Sequence, residues 1–228
     1  MRHVIIGLPL AIALIGAVFY WRPYWIPSGS MKPTLLVGDY VVATPLWGAP
    51  ERGDVLVYRH PTNDAIFIAR LIGLPGDRVQ MVDGGLTLND QPVDLQSDGS
   101  FIDVMEPQGP VGGWPACAND PVGIGGDCEK QQQIETLPND ISYAILNIGD
   151  RATDNTGVFT VPEGQYFMLG DNRDNSVDSR IDRLRGGVGF VPAENVRRRV
   201  ARVVFSSAGR SLADVSNWRS DRYFRPVQ

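Results

Sequence analysis

Residues 65–77 read AIFIARLIGLPGD, and their reading decides the fold. A run rich in Ile and Leu stops at Leu74-Pro75-Gly76-Asp77, the signature of a strand that ends in a tight turn. The same pattern recurs outward from it. Residues 35–45 (LLVGDYVVATP), 54–60 (DVLVYRH) and 85–93 (GLTLNDQPV) are β-branched runs bounded by Gly, Pro, Asn or Asp. Within the last of these, Asn89-Asp90 suits a two-residue hairpin turn between Leu86-Thr87-Leu88 and Val93. Residues 132–136, 142–146, 157–161, 165–169 and 198–206 predict further strands. Nothing after residue 25 carries a long 3.6-residue apolar period, so the fold class is mainly β. Residues 94–131 are Gly/Pro-rich and weakly patterned, and read as a β-rich insertion on the main β-domain.

Composition agrees with one folded domain of ordinary size. Hydrophobic residues at 43% and charged residues at 21% exclude a disordered chain. Acidic residues (26) outnumber basic ones (21), so overall charge gives no nucleic-acid-binding footprint. Only two of the basic residues are lysines, Lys32 and Lys130. From Arg180 onward eleven arginines face four acids. That basic tail reads as a solvated face of the last strand, with anionic lipid headgroups as the other candidate partner.

One segment departs from the average. Residues 4–21 (VIIGLPLAIALIGAVFYW) are eighteen residues without a charge, about 27 Å as a helix and close to the ~30 Å hydrocarbon thickness. Tyr20, Trp21, Tyr24 and Trp25 follow like an aromatic belt. A cleaved signal peptide fits less well, because its only A-x-A site, Ala11-Ile12-Ala13, lies inside the apolar run. Residues 1–25 are therefore expected to be a membrane anchor, and residues 26–228 the β-domain, with the excursion at about 94–131. Cys117 and Cys128 flank a short Gly-rich stretch and read as a local disulfide, which persists only where conditions are oxidising. With His3 and His60 the only histidines, a zinc site lacks ligands; no metal or cofactor is expected.

Three clusters carry chemistry. In residues 27–35 (PSGSMKPTL), two serines astride a glycine give a nucleophile and a second hydroxyl facing a developing oxyanion. Gly73-Leu74-Pro75-Gly76-Asp77 closes the strand quoted first. Residues 170–180 (GDNRDNSVDSR) form a polar run whose spacing lacks the glycine and terminal glutamate of a calcium loop.

Taken together and in this order, these clusters closely resemble bacterial type I signal peptidase, a membrane-bound serine endopeptidase that removes signal peptides from exported preproteins. PSGSMKPTL resembles the family's nucleophile box, RGDVLVY (residues 52–58) its second box, RLIGLPGD (residues 70–77) its base-bearing box and GDNRDNSVDSR its last. The resemblance implies a signal-peptidase-like antiparallel β-domain. It implies Ser30 as nucleophile, the Ser30 N–H and Ser28 hydroxyl as oxyanion hole, Ser176 orienting the base, and Asp178 and Arg180 organising the loop. It implies substrates with small residues at −3 and −1, held by shallow pockets for which Met31, Pro33, Ile66 and Ile68 are the candidates. It also implies secretory preproteins and membrane lipid as partners, and a bacterial cytoplasmic membrane location with the catalytic domain on the periplasmic side.

One position breaks the pattern. The family's base is a lysine just before the arginine of the third box, and here that residue is Ala69. A methyl group accepts no proton, and Arg70 stays protonated. Lys32 sits two residues from Ser30 and reads as a substrate-side or surface residue; Lys130 falls in the insertion, away from every box. The expectation is a catalytically inactive, substrate-trapping Lys→Ala chain. The alternatives are a natural non-catalytic signal-peptide-binding homologue and a dedicated pilin or conjugation-protein processing peptidase.

Overall fold

Strand-forming runs of the kind quoted above become fourteen strands in a computed structural model that describes residues 20–109, 111–209 and 213–228. Numbered along the chain, they begin with β1 (Arg22–Trp25), β2 (Asp39–Pro45), β3 (Val55–Arg59), β4 (Ile66–Gly73), β5 (Arg78–Val82), β6 (Gly85–Leu88) and β7 (Gln91–Pro92). They continue with β8 (Asp94–Val104), β9 (Asp127–Thr136), β10 (Ser142–Asn147), β11 (Phe159–Thr160), β12 (Gln165–Leu169), β13 (Val191–Pro192) and β14 (Val196–Ser206). One sheet has the order β1-β2-β14-β3-β4-β12-β13, a second β11-β5-β6-β7 and a third β10-β9-β8. Every strand pair is antiparallel.

Burial follows position in the sheet. Strand β2 alternates buried and half-buried residues, whereas β3 is buried on both faces through Val55, Leu56, Val57 and Tyr58. Leu35, Val41, Leu56, Leu71, Met168 and Val203 build one core; Val79, Met81, Leu86, Ile145, Phe167 and Leu169 build a second. The two share β4 and β12, whose successive residues face opposite sides. Asn89 and Asp90 both have positive φ, 52° and 63°, and close the β6–β7 hairpin as the sequence indicates.

One boundary differs from the sequence reading. Most of the expected anchor, residues 1–19, lies outside the described residues; its last four, Arg22–Trp25, form β1 on the edge of the main sheet. Among the described residues no helix is long and apolar enough to cross a membrane. The excursion is β-rich, in line with the sequence reading. Strands β8 and β9 form a long hairpin whose loop is closed by the Cys117–Cys128 disulfide. Strand β8 exposes eight of its eleven residues, on both faces, so no apolar alternation marked it.

Candidate active site

The serine pair sits in a turn that a second loop grips by its backbone. Leu35 N donates to Met31 O (2.8 Å) and Lys32 N to Gly29 O (3.2 Å), which folds residues 29–35 on themselves. The hydroxyls of Ser28 and Ser30 lie 3.2 Å apart. From the polar loop, Asn172 N donates to Ser30 O and Asn172 Nδ2 to Gly29 O, each at 2.9 Å. The two boxes furthest apart in sequence thus become one site.

Gly170 makes that contact possible. A Cβ at this position would stand 2.2 Å from Ser176 Oγ and 2.7 Å from Ser30 O. We expect Gly170→Ala to force the two serine loops apart at a cost of about 1–3 kcal/mol, read as a lower denaturant midpoint together with weakened peptide binding. Wild-type stability would show that the loops are not in contact.

Arginine–carboxylate pairs fix the surroundings. Alternation along β4 points Ala69 and Arg70 to opposite faces. The fully buried Arg70 donates from Nε and Nη2 to Asp171 (2.8 and 2.7 Å) and from Nη1 to Gly53 O (2.8 Å). This clamp holds position 69 beside the serines. Arg180 grips Asp178 from Nε and Nη2 (2.9 and 2.8 Å), and Arg173 grips Glu135 (2.9 and 2.6 Å). Arg52 pairs with Asp77 at 2.9 Å, which joins the second box to the third. Apart from Arg180–Asp178, two residues apart in one loop, these pairings join residues distant along the chain, so neither they nor Glu135 was legible in the sequence.

Above the serines lies a cleft of about 510 Å³. Of the residues singled out from sequence, Ser28, Ser30, Met31, Ile66, Ile68, Ala69 and Ser176 line it. Pro33 does not, and Asp178 and Arg180 are buried away from its lining, consistent with organising the loop from behind. Ile66 is half exposed, so it offers apolar surface to a ligand rather than to the core.

Tyr58 is a residue the sequence reading missed. It pairs with Phe67 across β3 and β4, and Ala69 pairs with Leu56, so Tyr58 and Ala69 share a sheet face as diagonal neighbours. Both line the cleft. The Tyr58 hydroxyl is buried without a hydrogen-bond partner. Burial, and then the Asp178 carboxylate, push its pKa well up, so the phenol stays neutral and is no base. An unsatisfied buried hydroxyl costs about 1–3 kcal/mol. Tyr58→Phe should therefore raise the melting temperature or leave it unchanged; a clear fall would reveal a bond to Oη. The available signal was the lone hydroxyl in an otherwise apolar run, residues 55–58.

Burial removes the surface reading of Lys32, and Lys130, though in the insertion, is not far from the nucleophile box. Lys32 is 3% exposed rather than a surface residue, and Lys130 is brought next to it. Lys32 Nζ donates to both oxygens of Asp103 and to Gln108 Oε1, all at 2.7 Å. Lys130 Nζ donates to Asp103 Oδ2 at 2.5 Å. Burial disfavours every charge here, yet two ammoniums on one carboxylate hold the Asp103 pKa below its usual value. Lys32 has only a shared counter-charge, so burial wins and lowers its pKa. Neither lysine lines the cleft above Ser30.

A serine pair in a gripped turn stands beside an apolar cleft and the start of β4, residues 66–69, which pairs with β3 but not with β12. Residues 2–206 match the family described as signal peptidase, peptidase S26. Signal peptidase I of Rickettsia typhi (strain ATCC VR-144 / Wilmington) is 35% identical over 231 residues, covering 87% of this chain and 77% of that protein. The Rickettsia prowazekii (strain Madrid E) enzyme is 34% identical over the same shares. The crystal structure of a signal peptidase I from Enterococcus faecalis V583 aligns with a TM-score of 0.35 and 25% identity, covering 68% of this chain and 98% of that one. The chain belongs to the signal peptidase family, peptidase S26.

Proposed function

We propose that this chain binds the signal peptides of exported preproteins at the Ser30 cleft and does not hydrolyse them. The observation that carries the reading is the placement of amines. Beside Ser30, strand β4 offers the methyl group of Ala69, while both lysines of the chain are held on Asp103. A serine hydroxyl attacks a carbonyl only as a base takes its proton. Ser28 is another hydroxyl, Tyr58 is a neutral phenol and Arg180 is a permanent cation. The Ser28 and Ser30 hydroxyls lie side by side, which supports an oxyanion hole at this pair.

Substrate would enter as an extended strand against the exposed end of β4, with small residues at −3 and −1 facing Met31, Ile66 and Ile68. Residues 1–21 would tether the site at the bilayer, where a membrane-inserted signal peptide ends. The disulfide supports an oxidising compartment, hence the periplasmic side of a bacterial cytoplasmic membrane. Labelled signal-peptide fragments titrated against the full chain in detergent should bind saturably and be recovered uncut. Absence of binding, or products cut after the −1 residue, overturns the reading.

A further inference from the structure

The turn carrying Ser28–Ser30 has a second side. Opposite the cleft lies a smaller cavity of about 210 Å³, and Pro27, Ser28 and Asn175 line both. The insertion contributes Asp103, Gln108, Trp114 and Lys130 to its lining. Three of its charged groups are deeply buried, Lys32 at 3%, Lys130 at 1% and Asp103 at 9% exposure.

This cavity is short of one negative charge. Two ammoniums share one carboxylate, which leaves a net +1, and the Arg219 guanidinium adds to the positive field at Lys32. Hydrogen bonding is unfilled as well. Lys32 spends its hydrogens on Asp103 and Gln108. Lys130 makes one strong bond to Asp103 and one long contact, 3.6 Å, to Cys128 Sγ. That leaves a donor in hand. On the turn side Asn172 lines the cavity, and its buried Oδ1 has no partner. Buried polar groups are nearly always paired, so an open donor and an open acceptor in one cavity point to a ligand that supplies both.

We propose that this cavity is a subsite for an acidic side chain, Asp or Glu, among the first three residues that follow the scissile bond of a bound preprotein. The inference rests on the reading above, that the end of the signal peptide lies in the Ile66–Ala69 cleft. A peptide leaving that cleft across Ser30 continues past Ser28 and Gly29 onto the cavity side. A carboxylate there balances the extra charge and accepts from Lys130, while a main-chain N–H of the same segment donates to Asn172 Oδ1. A lysine in that position meets like charge; an alanine leaves the charge and both polar groups as they are. The selectivity belongs to the β8–β9 insertion, which supplies Asp103 and Lys130.

The test uses the full chain in detergent and fluorescence anisotropy. Peptides carry one signal-peptide end with Ala at −3 and −1, then three mature residues in which Glu, Ala or Lys is placed at +1, +2 or +3. A peptide ending at −1 does not reach the cavity, and its affinity normalises each protein for cleft-competent molecules. At one of the three positions Glu should bind about tenfold more tightly than Lys and about threefold more tightly than Ala, with the gap narrowing as salt is raised. Lys130→Met should level the three peptides, and Asp103→Asn, which adds a net positive charge, should widen the gap. Equal binding of Glu, Ala and Lys peptides, with the −1 peptide still bound, overturns the subsite alone. Failure of the −1 peptide to bind overturns the reading of the cleft and the subsite with it.

Discussion

Lysine introduced at position 69 is expected to switch on cleavage. Ala69 is 4% exposed and lines the cleft with Ser30 and Ser176, so the new side chain is delivered from the correct strand into a largely dry site. Burial lowers a lysine pKa and leaves part of the amine neutral near pH 7, the state that accepts the serine proton. The unpartnered Tyr58 hydroxyl and Ser176 stand on the same cleft and are the groups available to orient it. General-base catalysis contributes 10²–10⁴-fold, and a base acting as a unit with its nucleophile contributes more. Processing of a preprotein by Ala69→Lys should exceed that of the unaltered chain by at least about 10³-fold. The rate should rise with pH through the lowered lysine pKa, and Ser30→Ala should abolish it. An Ala69→Lys protein that is folded, binds signal peptide and stays inert would mean that more than the base is missing.

The second large effect concerns stability. Asp171→Ala leaves the Arg70 guanidinium, fully buried, without its carboxylate. Breaking one side of a buried ion pair costs about 3–5 kcal/mol. For a domain of this size that lowers the melting temperature by on the order of 10 °C. The loss should be much smaller in the double variant Arg70→Met/Asp171→Leu, which removes both charges. If the single and double variants melt together, the pair is not the element that fixes β4 to the polar loop. The double variant also separates stability from function, since without the clamp position 69 loses its fixed relation to Ser30.

How far the sequence alone carries depends on the distance over which each signal acts. The Pro75-Gly76 turn, the Asn89-Asp90 hairpin and the β-branched runs of β2, β3 and β4 are local, and each is legible where it stands. Ser28, Ser30 and Ser176 were found because they lie in long, ordered boxes. Asp103 was not found. It is one of three acids in a largely exposed strand, and nothing near it announces that lysines 71 residues upstream and 27 residues downstream will meet on it. The burial of Lys32 follows from the insertion folding back over the nucleophile turn, a tertiary event with no sequence period. The roles of Gly170 and Tyr58 were hidden for a related reason, though both lie in the quoted boxes. One matters for the atom it leaves out, the other for a hydroxyl whose neighbours are known only after β3 and β4 pair.

Binding without cutting is tested most directly by intact-mass spectrometry of a preprotein incubated with the full chain. A stoichiometric excess of the chain should leave the preprotein at its full mass over hours and co-elute with it, while the Ala69→Lys protein under the same conditions releases the mature mass. Mature product formed by the unaltered chain, and lost in Ser30→Ala, would contradict it.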